Sequence, residues 1–114
     1  MAELPEGPRH ELLKGTLDML VLNTLTIRPL HGYAIAQQIE ALSDARLRVE
    51  QGSLYPALVR LQKKGWITSK WGESPTGRRA RYYTITAAGR RQLGDEISVF
   101  DATLFAINRV LRRV

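Results

Sequence analysis

The chain has 114 residues, 44% of them hydrophobic, which suffices for one packed domain with one long appended element and is too little for two independent domains. It has no cysteine, which excludes a disulfide framework and a thiolate metal site. The net charge of +6 is segregated: from Arg60 to Arg91 nine basic residues stand against one acid, Glu73, and the remainder is slightly acidic, so the charge marks a face suited to a polyanion.

Residues 1–8, with two prolines and a glycine, are expected to form a flexible arm. That stretch lacks the basic start and apolar core of a signal peptide. The best apolar run, Leu17 to Leu25, is short and contains Asp18 and Asn23, so a soluble, cytoplasmic protein with no membrane partner is expected. From His10 to Thr26 apolar residues recur at helical spacing over more than one stripe, which predicts a first helix buried on two sides. Arg28-Pro29-Leu30-His31-Gly32 breaks it, and His31 is placed to pack or cap at the start of a second helix. That helix runs from about Gly32 to Leu42 with Ile35, Ile39 and Leu42 on one face, and Ser43-Asp44 ends it.

Arg46 to Glu50 alternates polar and apolar residues, as a short strand pairing with a later hairpin would. Ser53 then takes the N-cap position of a third helix, with Pro56 in its first turn and Gly65 just past its end, behind Lys63 and Lys64. Leu54, Leu58 and Leu61 give this helix one buried stripe. Trp66 to Trp71 and Ala80 to Ile85 are rich in aromatic and β-branched residues and flank a Gly-, Ser- and Pro-containing loop, which predicts a hairpin. From Thr86 the chain turns helical again, and Leu93, Ile97, Phe100, Leu104, Ile107 and Leu111 form an unbroken heptad seam. A helix over 87–113 would be about 40 Å long, more than the small domain can cover, so the seam predicts a homodimer.

Helix, turn, helix, strand, basic loop, strand is the order of a winged helix-turn-helix, in which the second helix of the pair enters the major groove of double-stranded DNA. Gly52, Ser53, Pro56 and Ala57 keep its leading edge thin; Ser53 and Tyr55 offer hydroxyls, and Arg60 offers a fork for phosphate or guanine. Lys63 lies on the same outward face. Arg78, Arg79 and Arg81, three arginines in four positions, suit a wing against the backbone or in a narrow minor groove. The competing class is a winged-helix module that meets an acidic protein or RNA. Gly72 to Arg79 resembles a phosphate-binding loop but lacks its Lys and hydroxyl, and leads into a strand. His10 and His31 form no metal set, and no nucleophile has a base at a usable spacing, so neither an enzyme nor a cofactor is expected.

Gln51-Gly-Ser-Leu-Tyr-Pro-Ala-Leu-Val-Arg-Leu61, Lys64-Gly-Trp-Ile67 and Arg81-Tyr-Tyr-Thr-Ile-Thr-Ala-Ala-Gly89 closely resemble the PadR family of bacterial transcriptional regulators. Leu30-His-Gly-Tyr-Ala-Ile-Ala36 is similar to the family's second-helix opening, and the likeness spans roughly residues 10 to 113. The resemblance implies a mostly α fold with a small β-hairpin: a flexible arm over 1–8, a winged helix-turn-helix over 9–88, and one C-terminal dimerisation helix over 89–114, as in the short-tailed branch. It implies a homodimeric repressor at pseudo-palindromic promoter sites, with Ser53, Tyr55 and Pro56 near DNA, Tyr33 on the backbone, and Arg78 and Arg79 in the wing. A small hydrophobic or aromatic effector at the dimer interface is a further partner the resemblance allows. Here, however, both tryptophans lie in the hairpin and none on the C-terminal helix.

Overall fold

The computed structural model describes residues 10–11 and 14–113, and Leu12 and Leu13 of the first apolar stripe lie outside them. The elements in order are β1 (His10–Glu11), α1 (Lys14–Thr24), β2 (Leu30–His31), α2 (Gly32–Leu42), β3 (Leu47–Arg48), α3 (Gln51–Lys63), β4 (Ile67–Glu73), β5 (Arg79–Ile85) and α4 (Ala87–Val110). The fold is mostly helical with a three-stranded antiparallel sheet in the order β2-β5-β4.

The core assembles around α1, whose Leu17, Met19, Val21 and Leu22 are buried, as is Leu25 in the turn that follows. These residues point to different sides of the helix, because α2, α3 and α4 all contact it. Ile35 and Ile39 of α2, Leu54, Ala57, Leu58 and Leu61 of α3, and Ile67, Tyr83 and Ile85 of the hairpin complete the core. The expected α2 face is met at Ile35 and Ile39; Leu42, in the last turn, is exposed. His31 caps α2 as expected, its Nδ1 accepting from the Ala34 N–H at 3.2 Å.

Two features of strand pairing differ from the sequence reading. The first helix starts at Lys14 and not at His10, since His10 and Glu11 pair in parallel with Leu47 and Arg48. The alternating stretch near Arg48 therefore does not join the hairpin. The hairpin's third strand is β2, with Leu30 opposite Tyr83 and His31 opposite Tyr82. Strands of two residues carry no periodicity; the burial of Leu30 and Tyr83 and the edge-on contact of the His31 and Tyr82 rings, with centroids 5.5 Å apart, hold this pairing.

The limits of α3 show what local rules do and do not fix. Its N-cap is Glu50, with no side-chain capping bond, and the Ser53 and Leu54 N–H groups both donate to the Glu50 carbonyl at 2.9 Å. Ser53 thus lies inside the first turn, not at the cap. Pro56 falls in the second turn, where it has no N–H to donate to the Gly52 carbonyl; tertiary packing of α3 offsets a loss that costs an isolated helix about 3 kcal/mol. The far end follows the sequence. Gly65 is left-handed at φ +76°, its N–H donates to the Gln62 carbonyl, and that of Trp66 donates to Leu61, which is a Schellman motif.

The same turn anchors α4. Thr86 caps that helix by accepting from the Gly89 N–H at 3.0 Å, and its own hydroxyl donates to the Gly65 carbonyl at 2.7 Å. The Thr86 N–H donates to the Trp66 carbonyl at 3.0 Å. Leu93, expected on the dimer seam, is only 7% exposed and sits in the subunit's own core, because α4 packs on α1.

A Cβ on Gly89 would fall on the Trp66 carbonyl oxygen, whereas one on Gly94, a turn further along, would meet nothing within 4 Å. Gly89→Ala should therefore destabilise the protein by about 2 kcal/mol or more, while Gly94→Ala should stabilise it by roughly 0.5–1 kcal/mol. Denaturant midpoints of the two variants against the parent check both signs.

Candidate nucleic-acid interface

The outward face of α3 is built by default from what its buried stripe leaves. Leu54, Ala57, Leu58 and Leu61 face the core, so Tyr55, Pro56, Val59 and Lys63 stand exposed, with Ser53 half-buried beside them. Tyr55 is held from the side. A Cβ on Gly32, the first residue of α2, would lie 3.2 Å from the Tyr55 Cε1 and hydroxyl, so this glycine leaves room for the ring against the helix start. The adjacent Tyr33 is 59% exposed. Gly32 was legible in the sequence only as a helix breaker; its second role depends on a residue in another helix.

Below this surface lies Tyr83, which is 7% exposed. Burial pushes its hydroxyl pKa above 10.0, with the Arg81 charge opposing the shift and the proximity of Tyr55 adding to it.

Arg60 does not share the open surface. Its Nη2 donates to Asp18 Oδ1 at 2.7 Å in a half-buried ion pair, and its Nε is buried with no partner. It braces α3 against α1, the opposite direction from the fork expected of it. The sequence concealed this because Asp18 lies 42 residues away.

The hairpin runs from Ile67 opposite Ile85 to Glu73 opposite Arg79, longer at the tip than the sequence limits. Its loop is closed by the Ser74 N–H donating to the Arg78 carbonyl at 2.7 Å and by Gly77 at φ +83°, whose N–H donates to Ser74. Arg78 is exposed in this loop. Arg79 and Arg81 project from β5 on the side of Trp71, and their guanidinium carbons lie 4.9 and 5.4 Å from the indole centroid. Arg81 Nε also donates to Ser69 Oγ at 2.9 Å, and Ser69 donates to Gln62 Oε1 on α3 at 3.1 Å. The structure thus ties the wing arginines to the C-terminal turn of α3 through residues the sequence did not single out: Trp71, Ser69 and Gln62. Alternation along the hairpin was the available signal, since it puts Ser69 and Trp71 on one face with Arg79 and Arg81.

Beyond Leu93, α4 leaves Ile97, Phe100, Leu104 and Ile107 exposed, and Leu111 follows at its C-cap. Val99 and Phe105, off the heptad seam, are about two-thirds exposed. A groove of about 460 Å³ lies between Gly15, Thr16 and Met19 of α1 and Gln92, Val99 and Phe100 of α4, apolar over most of its surface with Asp95 and Glu96 also lining it. Among the described residues no group of His, Asp or Glu could hold a metal ion, and no helix is long and apolar enough to cross a membrane.

Comparison with known proteins gives a consistent picture. The family model described as "Transcriptional regulator PadR-like family" matches residues 21–95, which include α2, α3, the hairpin and the first turns of α4. A transcriptional regulator from Clostridium thermocellum superimposes with a TM-score of 0.77 at 30% identity, covering 84% of this chain and 93% of that one. A PadR-like transcriptional regulator from Bacillus cereus gives a TM-score of 0.72 at 26% identity, over 90% and 97%. An uncharacterised 37.1 kDa protein in a transposon of Streptomyces fradiae is 44% identical over 78 residues, and the match spans 68% of this chain and 21% of that protein.

Because the folded pKa of Tyr83 is raised, its contribution to stability is complete below about pH 10 and is lost as pH climbs from the unfolded value towards the folded one. Between about pH 8 and about pH 11 the parent should lose more stability than Tyr83→Phe does. Equal losses measured by urea titration would mean that Tyr83 ionises as freely in the fold as in the unfolded chain.

Proposed function

The chain belongs to the PadR-like family of transcriptional regulators, and from that premise we propose that it is a homodimeric repressor that reads a pseudo-palindromic operator in double-stranded DNA within the cytoplasm. The observation that carries this reading is the convergence of cations and a thin helix edge. The exposed side of α3 is joined to Arg81 of β5 by hydrogen bonds through Gln62 and Ser69, and Arg79 shares the Trp71 ring with Arg81. Lys63 of α3 and Arg78, Arg79 and Arg81 of the hairpin add exposed positive charge to that assembly.

In this reading α3 lies in the major groove with Ser53, Tyr55 and Pro56 towards base edges, and Lys63 reaches a phosphate. Tyr33 contacts the backbone beside Tyr55. Arg78, Arg79 and Arg81 serve the flanking minor groove or backbone, where negative potential favours guanidinium groups. Arg60 acts from behind, keeping α3 at a fixed distance from α1 by way of Asp18. The repressor assignment rests on the family resemblance.

The DNA-reading unit spans residues 9–88, and the dimerising unit is the remainder of α4, shorter by the two turns that hold Leu93 in the core. Ile97, Phe100, Leu104, Ile107 and Leu111 meet a second copy. Val99 and Phe105 widen the apolar surface beyond one stripe, so the partner must cover α4 on more than one side, and the α1–α4 groove offers a second wall. That groove also has the size of a small-molecule site and apolar surface from Met19, Val99 and Phe100, which supports a hydrophobic or aromatic effector bound where the subunits meet.

Two experiments test these roles. Replacing Arg78 and Arg79 with Ala should weaken binding to all duplexes alike and lower the slope of log K against log salt by about 2, read by fluorescence anisotropy. An unchanged slope would remove the wing from the phosphate backbone. Leu104→Asp should convert the dimer to monomers in sedimentation equilibrium, and a dimer that persists would put the interface elsewhere.

A further inference from the structure

We propose that Trp71 is a positioning residue for the wing: its indole is the platform that holds Arg79 and Arg81 in a fixed, un-neutralised pair for contact with phosphate. The inference rests on the DNA-binding reading and assigns a role to a side chain that reading leaves unused. Trp71 is a large apolar group, yet 55% of it is exposed, near the tip of a hairpin whose core end is fully packed at Ile67 and Ile85. Burial does not account for it there. It stands directly across from Arg81 in the strand register, with Arg79 on the diagonal, and both guanidinium groups lie within cation–π distance of the ring.

The alternative partner for Arg79 is close at hand. Glu73 is its register partner, yet the two side chains do not form an ion pair. Arg79 therefore stacks on an uncharged surface and keeps its full charge for a polyanion. An aromatic face suits this task better than a carboxylate, since it restrains a guanidinium without cancelling it and leaves the in-plane N–H donors open. Two like charges beside one ring would otherwise spread apart. Arg81 is fixed further by Ser69, and Ser69 by Gln62, so the orientation of the pair is referred back to α3. Ordering these two long side chains before binding removes an entropic cost from the complex.

The test is a double-mutant cycle on an intact chain, with a mixed-sequence duplex of about three helical turns as the probe. Trp71→Leu, which keeps apolar bulk and loses the aromatic face, should weaken binding roughly three- to tenfold, whereas Trp71→Phe should stay within about twofold of the parent. In an Arg79→Ala/Arg81→Ala background, Trp71→Leu should have almost no further effect. An equal loss in both backgrounds, or a Trp71→Phe variant as weak as Trp71→Leu, overturns the platform role, because a structural or direct contact made by Trp71 would not depend on the arginines. A parent that binds no duplex sinks the DNA-binding reading instead. The platform is then judged in the free protein: with Trp66→Phe leaving Trp71 as the sole tryptophan, excited selectively at the red edge of its absorption where tyrosine does not absorb, removing both arginines should shift or brighten its emission, and an unchanged spectrum overturns the proposal.

Discussion

Two consecutive peptide units, Gly65 and Trp66, fasten together the three elements on which the candidate interface depends. The Trp66 N–H closes the Schellman turn of α3, its carbonyl accepts from the Thr86 N–H, and the Gly65 carbonyl accepts from the Thr86 hydroxyl. Gly89 then brings the first turn of α4 against the same carbonyl, so closely that no side chain fits. The helix α3, the hairpin and the C-terminal helix α4 therefore share one rigid junction. A displacement of α4 would be felt at the end of α3 without any long pathway between them.

Much of this was legible in the sequence, because it rests on local chemistry. Gly65 after two lysines marks a helix end, Thr86 marks a helix start, and the alternating aromatic and β-branched residues on either side of a glycine-containing loop mark a hairpin. What stayed hidden depends on distant partners. Ser53 has the right chemistry for a cap, but the cap lies three residues earlier, at Glu50, whose carbonyl takes the first bonds. Arg60 is one basic residue among nine in its stretch, and nothing local distinguishes the one that turns inward to Asp18. Leu93 fits the heptad as well as Leu104 does, yet one is inside the subunit and the other half open to solvent. Periodicity states that a face is apolar and not what covers it.

Charge and hydrophobicity are thus divided along the molecule in a way that separates two tasks. Cations gather on α3 and the wing, where Arg79 and Arg81 rest on Trp71. Exposed apolar residues gather on the outer part of α4 and beside the α1–α4 groove. In the proposed dimer the second region would set how far apart two copies of the first stand, with the Gly65–Trp66 junction as the fixed joint between them.

Selection of bound duplexes from a random pool, followed by sequencing, tests this account most directly. It predicts enrichment of an inverted repeat whose half-site centres lie about 34–36 Å apart, one helical turn, or a multiple of that. Recovery of a single unrepeated motif would contradict the paired geometry, and recovery of a pool no different from the starting one would contradict sequence-specific DNA binding itself.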